Sequence, residues 1–248
     1  MTVKDRIDAI RERIEKAALR SGRKCGEISL MGVSKFHGAK EIEEAVKAGL
    51  FLFGESRVQE AAEKFPALKE TYPALELHLI GSLQRNKVKN ALAVFDGIQS
   101  LDRDELITTL GTLAAKTGET RSTGMNGGTE KKPVLKVLLE LHTGEASKSG
   151  YPDEDSLSRA VEMAASFPCL KLSGLMTMAP FTEDESLIRR SFRKLYAARD
   201  SLRRRFPEED FSCLSMGMSG DFEIAVEEGS TMVRVGTAIF GSPRGEPN

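Results

Sequence analysis

Three short stretches of this sequence combine residue types and spacings that can do chemistry. In "ISLMGVSK" (28–35) an apolar run ends on Ser34 and Lys35, and the amphipathic stretch "KEIEEAVKAG" (40–49) follows. Most lysines are solvated. A lysine held partly out of water at such a boundary instead favours its free amine, the form that attacks an aldehyde. In "SMGMSGDFEIAVEEG" (215–229), Gly217, Ser219 and Gly220 end an apolar run directly before a helical pattern. Backbone N–H groups at a helix start, with the Ser219 hydroxyl, suit a phosphate. In "TMVRVGTAIFG" (231–241), Gly236 and Thr237 offer the same chemistry just past the last apolar run. Either glycine-bearing segment alone is an ordinary turn; the two together make a phosphate site as good a reading as a structural one. Arg234 lies inside the last run, where a guanidinium needs either a core carboxylate or a ligand atom.

Other polar positions carry weaker signals. "GESRVQE" (54–60) and "IGSLQRNK" (80–87) each follow an apolar run, and Ser56, Gln84 and Asn86 there read most simply as helix caps. "TGEASKSGY" (143–151) adds Lys148 and Ser149 in a loop. His37, His78 and His142 are too dispersed for a metal cluster, and Met176, Met178, Met216 and Met218 read as core filling.

The elements that must position these groups follow from hydrophobic periodicity. Val3, Ile7, Ile10 and Ile14 recur at helical spacing, with Thr2 and Asp5 as a capping start. Near-continuous apolar runs then alternate with amphipathic stretches to the end of the chain: 28–35, 50–54, 75–81, 97–101, 133–142, 170–178, 211–218 and 231–236. Such runs are the mark of parallel strands covered by helices. Roughly eight strand–helix units predict a single (β/α)8 TIM barrel over 1–248 with an extra N-terminal helix (1–20), a doubly wound open sheet being the alternative. "KTGETRSTGMNGGTEKK" (116–132) lacks apolar periodicity and reads as a loop insertion. In a barrel, chemistry sits at the C-terminal ends of the strands and a phosphate sits by the loops after strands seven and eight. That places the two glycine-bearing segments at the phosphate end and Lys35 across the mouth from them.

Bulk properties exclude several classes. A formal net charge of -1 argues against an electrostatic grip on nucleic acid or anionic lipid. Three scattered cysteines, Cys25, Cys169 and Cys213, fit neither a disulfide framework nor a zinc site. The charged N-terminus has no signal-peptide core, and no uncharged run is long enough to span a bilayer, so a cytoplasmic protein is expected.

In this order, "GVSK", "FGESRVQE", "HLIGSLQRNK", "SKSG", "LSGLMTM" and "SMGMSGDFEIAVEEGSTMVRVGTAIFG" resemble the YggS/PROSC family of pyridoxal-phosphate homeostasis proteins. The match runs from about Val33 to Gly241. The resemblance implies a barrel like the alanine racemase N-terminal domain, with pyridoxal 5'-phosphate (PLP) held as a Schiff base on Lys35. It implies Ser219, Gly236 and Thr237 at the phosphate and Arg234 facing the pyridine nitrogen, with Asn86, Met176 and Gly217 completing the cofactor-binding set. It implies no catalytic residue, no metal, a monomer, and PLP-dependent apo-enzymes as partners. Two positions depart from the family: Ser56 stands where it usually has Asn, and His142 where Asn is common.

An arginine at the ring nitrogen keeps that nitrogen unprotonated, which weakens carbanion stabilisation. The racemases it resembles also draw an acid–base tyrosine from a separate C-terminal domain, which is expected to be missing from a chain that ends at Asn248. The expected function is therefore PLP holding without turnover. The alternatives are a weak amino-acid racemase and a barrel enzyme for another phosphorylated metabolite.

Overall fold

The computed structural model describes residues 1–121, 134–144 and 149–242. Eight parallel strands close into a barrel in chain order. They are β1 (Ser29–Val33), β2 (Leu52–Glu55), β3 (Glu76–Leu79), β4 (Gly97–Leu101), β5 (Leu135–Glu140), β6 (Leu170–Met176), β7 (Cys213–Ser215) and β8 (Met232–Val235). Between them run α2 (Ala39–Lys47), α3 (Val58–Thr71), α4 (Val88–Val94), α5 (Asp104–Arg121), α6 (Glu154–Ala165), α7 (Glu185–Arg205) and α8 (Phe222–Glu227). The barrel reading therefore holds, and the doubly wound sheet does not.

The extra helix α1 (Val3–Arg20) starts on the Thr2–Asp5 capping box and buries Ile7, Ile10 and Ile14 against α2, α8 and the short α9 (Thr237–Phe240). Each such isoleucine is worth roughly 1.5–3 kcal/mol of burial. Helix α9 went unseen in the sequence, because four residues carry no readable period. Of the 116–132 insertion, residues 116–121 continue α5 rather than forming a loop, and the rest lies outside the described residues, as does Lys148. Among the described residues, no helix is long and apolar enough to cross a membrane.

Closure changes one expectation about the site. β1 pairs with β8, with Met31 opposite Arg234 and Gly32 opposite Val235. Lys35 therefore leaves the barrel beside the end of β8, next to the Gly236 turn and not across the mouth from it. Linear order separates the two by two hundred residues; only the closing strand pair brings them together.

Candidate cofactor site

The Lys35 loop is built by strain and by a second lysine. Phe36 has φ 67, in the left-handed region that bulky residues rarely occupy. Its N–H donates to Glu60 Oε1 at 2.6 Å, and Lys64 of α3 donates to the carbonyls of Ser34 (3.1 Å) and His37 (2.9 Å). The same ammonium meets Glu55 Oε1 at 2.7 Å and Glu60 Oε1 at 2.9 Å, while the Ser34 hydroxyl donates to Glu55 at 2.7 Å. Burial raises the Glu55 pKa, and the Lys64 contact works against that rise. Among the described residues, Glu55 Oε2 is the buried side-chain polar atom left without a partner. Lys35 itself is exposed, its Nζ 5.9 Å from the Phe36 ring centroid. The sequence expectation of a Lys35 partly out of water is thus corrected: the lysine withdrawn from water is Lys64, whose side chain is 12% exposed. Carboxylates and carbonyls surround Lys64 and occupy its Nζ, which leaves Lys35 as the accessible amine.

The turns after β7 and β8 meet beside this loop. Gly217 has φ +96, and a Cβ there would fall 2.6 Å from Ala225 Cβ, so only glycine makes the turn. Its carbonyl accepts the Arg234 N–H at 2.9 Å, which ties the β7 turn to β8. The Ser219 hydroxyl accepts the Gly236 N–H at 3.3 Å. A Cβ on Gly236 would lie 3.2 Å from the Val33 carbonyl oxygen, so the missing side chain lets this turn rest on β1. Thr237 is exposed at the start of α9, and around Gly220 a Cβ would meet nothing within 4 Å. The result is a pair of turns resting against β1, the strand that leads to Lys35, with Thr237 exposed on them.

Arg234 is 3% exposed and lies within the barrel. Its guanidinium donates to Ser215 Oγ at 2.7 Å and to the Thr177 carbonyl at 2.8 Å. Among the described residues, no carboxylate reaches salt-bridge distance of it, so the core ion pair weighed from sequence is not how Arg234 is held. Burial lowers its pKa to about 10, with the charges of Asp221 and Glu140 opposing. Met176 is fully buried beside Glu140 and Ser215 in the neighbouring strands. Asn86 is exposed and lines a groove with Thr108, Thr109 and Thr112 of α5, away from the contacts that join the other residues.

One group escaped the sequence reading. Glu140, ending β5, is buried with its pKa raised to about 7 by burial, and it accepts from Ser149 at 3.1 Å. Its apolar run disguised it. Tyr151, at the end of the 143–151 segment, is buried and donates to Asp104 at 3.0 Å, with a β-bridge joining it to Leu141. Among the described residues, no group of three or more His, Cys, Asp or Glu side chains could hold a metal, and the three cysteines are free.

A closed parallel barrel with an exposed amine, two glycine turns and a buried guanidinium around one end defines a class that comparison with known proteins makes specific. The sequence profile of the family described as Alanine racemase, N-terminal domain, matches residues 6–243. A pyridoxal phosphate homeostasis protein of Aquifex aeolicus strain VF5 is 38% identical over 97% of this chain and 98% of its own. That of Escherichia coli K12 is 39% identical over 94% of this chain and 93% of its own. The structure of PipY from Synechococcus elongatus PCC7942 with PLP bound superposes with a TM-score of 0.79 at 31% identity, covering 97% of this chain and all of that one. The chain belongs to the alanine racemase N-terminal domain family, on its branch of pyridoxal phosphate homeostasis proteins.

Proposed function

We propose that this protein binds pyridoxal 5'-phosphate through Lys35 and serves its homeostasis, holding the cofactor without turnover of its own. The observation that carries this reading is the adjacency of β1 and β8. It sets an exposed amine beside the Ser219–Gly236–Thr237 turns and above a buried guanidinium. The PLP-bound relative at near-complete coverage supports the same reading. When bound, PLP supplies an aldehyde that condenses with amines and a pyridine ring that withdraws electrons.

The residues divide the work by chemistry. Lys35 supplies the attaching amine, and its exposure leaves the aldehyde a path in and out. Ser219 and the amides at Gly236 and Thr237 receive the phosphate, with Gly217 and Gly236 shaping the turns. Arg234 donates to the ring nitrogen and, as a permanent cation, keeps a proton off it. Met176 packs beneath. Asn86 remains a candidate contact that a bound cofactor would have to reach from its groove near α5. PLP-dependent apo-enzymes are the partners this role calls for, and a monomer suffices for it.

The absence of turnover rests on the disposition of acids and bases. A racemase needs two groups flanking one carbon. Among the described residues, Tyr72 ends α3, Tyr151 is committed to Asp104 and Tyr196 packs on Gly229, so none of the three tyrosines is poised beside Lys35. The test is uptake of PLP followed by incubation with single L-amino acids in deuterated water. A visible absorbance band without α-proton exchange is expected. Exchange with any member of the panel overturns the non-catalytic reading, and no band at saturating PLP overturns the binding reading.

A further inference from the structure

Arg234 is the end of a hydrogen-bonded chain that crosses the barrel interior to its opposite rim. Its guanidinium meets Ser215 Oγ of β7 at 2.7 Å, and the Ser215 hydroxyl donates to Gln99 Oε1 of β4 at 2.6 Å. Gln99 Nε2 lies 2.9 Å from His78 Nδ1 of β3, and His78 Nε2 lies 2.7 Å from Glu76 Oε1 at the start of the same strand. Lys136 of β5 meets that oxygen at 2.7 Å.

The two ends settle who donates at every link. Arginine has only donors and an ionised carboxylate only acceptors. Ser215 accepts from Arg234, so its own proton goes to Gln99, which must present its oxygen there. The Gln99 amide nitrogen then donates to His78 Nδ1, its second proton facing Met232 Sδ at 3.1 Å. His78, accepting at Nδ1, carries its proton on Nε2 and gives it to Glu76. Donors from His78 and Lys136 hold the Glu76 carboxyl down at about 2, so the acceptor end stays charged. Gly97 is part of the arrangement, because a Cβ there would lie 2.7 Å from His78 Nε2.

We propose that Ser215, Gln99, His78 and Glu76 are positioning residues for the cofactor's ring end, a one-way donor chain that orients Arg234 and supplies its counter-charge from the far rim. The inference rests on Arg234 facing the bound ring as proposed above. The physical reason is economy of contact. A carboxylate placed directly on Arg234 would occupy the donors that a ligand needs and would add a second buried charge. A chain of aligned dipoles ending in a carboxylate stabilises the cation while leaving one face of the guanidinium open. At its lower end the chain borders a cavity of about 240 Å³ lined by Glu76, His78, Lys136, Cys213 and Met232, which leaves His78 within reach of solvent protons.

The test uses the full-length protein carrying Gln99→Leu, Ser215→Ala or Glu76→Gln, with Ser173→Ala as a control that lines the same cavity outside the chain. Each protein is titrated with PLP, and the bound band is followed across pH. Gln99→Leu and Ser215→Ala are expected to weaken PLP binding about tenfold, the scale of one hydrogen bond to a charged group. Glu76→Gln, at the partly exposed rim where the fold tolerates it, is expected to shift the pH profile of the band in the same direction by a smaller amount. Ser173→Ala is expected to match wild type, and covalent attachment at Lys35 to persist in all four. Chain variants that lose thermal stability yet keep wild-type affinity and pH profile overturn the inference.

Nitrogen NMR of His78 in the cofactor-free protein separates this from failure of the binding reading. The Nε2–H tautomer is expected, and an Nδ1–H tautomer breaks the chain whether or not PLP binds.

Discussion

Two cationic side chains withdrawn from solvent lie beside β1 and the loop it leads into, and they are held in opposite ways. Lys64 rests directly on Glu55 and Glu60 at 2.7 and 2.9 Å and on two loop carbonyls. Arg234 rests on a hydroxyl and a carbonyl, its nearest charges acting at longer range. The first arrangement satisfies a cation completely and leaves it nothing further to do, so Lys64 is a clamp for the loop that bears Lys35. The second leaves a guanidinium fixed in place with unspent attraction for a ligand. Burial of a charge is therefore not what marks a binding residue in this barrel; the identity of its partners is.

Breaking the clamp has the largest expected effect. Lys64→Met leaves the Glu55 carboxylate buried and unpaired, at a cost of about 3 kcal/mol, or roughly 6–12 °C in Tm for a chain of this size. The loss has a defined sign with pH. Burial already holds the folded Glu55 pKa above its unfolded value, so the variant is least penalised below an unfolded pKa of about 4.3 and progressively more as pH rises. Thermal melts between pH 4 and 8 check this, and a flat difference across that range contradicts the clamp.

Glu140 sharpens the contrast, because among the described residues no cation stands within salt-bridge distance of this buried carboxylate. Its pKa is raised to about 7, so its stabilising contribution is present below the unfolded value near 4.3 and is lost as pH climbs through about 7. Glu140→Gln is expected to melt like wild type near pH 4. At pH 8 it should be more stable by about 3 kcal/mol, at 1.36 kcal/mol per unit of pKa difference.

Arg234→Met is expected to cost about 1–2 kcal/mol of stability, less than Lys64→Met, since neutral partners and relief of a buried charge offset each other. Its PLP affinity should nonetheless fall about tenfold. A larger stability loss than that of Lys64→Met would reverse the comparison. Ser219→Ala should weaken PLP binding about fivefold through one lost hydroxyl contact. Asn86→Ala, altering a residue in the α5 groove, should change affinity least, by under about twofold.

Much of this was legible in the residues. The alternation of apolar runs and amphipathic stretches is a local signal, so eight strands and the helices between them could be counted directly. Lys35, Ser219, Gly236 and Thr237 stood out because strand ends carry chemistry in barrels. What the linear order hid was closure, which put Lys35 beside Gly236 and not opposite it. The donor chain was hidden for the same reason. Glu76, His78, Gln99 and Ser215 each look like an isolated polar residue in an apolar strand, and His78 was set aside as too far from other histidines for a metal. The available signal was that polar side chains interrupt strands β3, β4, β7 and β8, and buried polar groups need partners. The Lys64 clamp had no such signal, since a lysine within the amphipathic α3 reads as solvated surface.

The most direct measurement is borohydride reduction of the PLP-loaded protein followed by peptide mass spectrometry. The account predicts a single reduced pyridoxyl adduct on the peptide containing Lys35 and none on the peptide containing Lys64. An adduct on Lys64, or a PLP-saturated protein with none at Lys35, contradicts it.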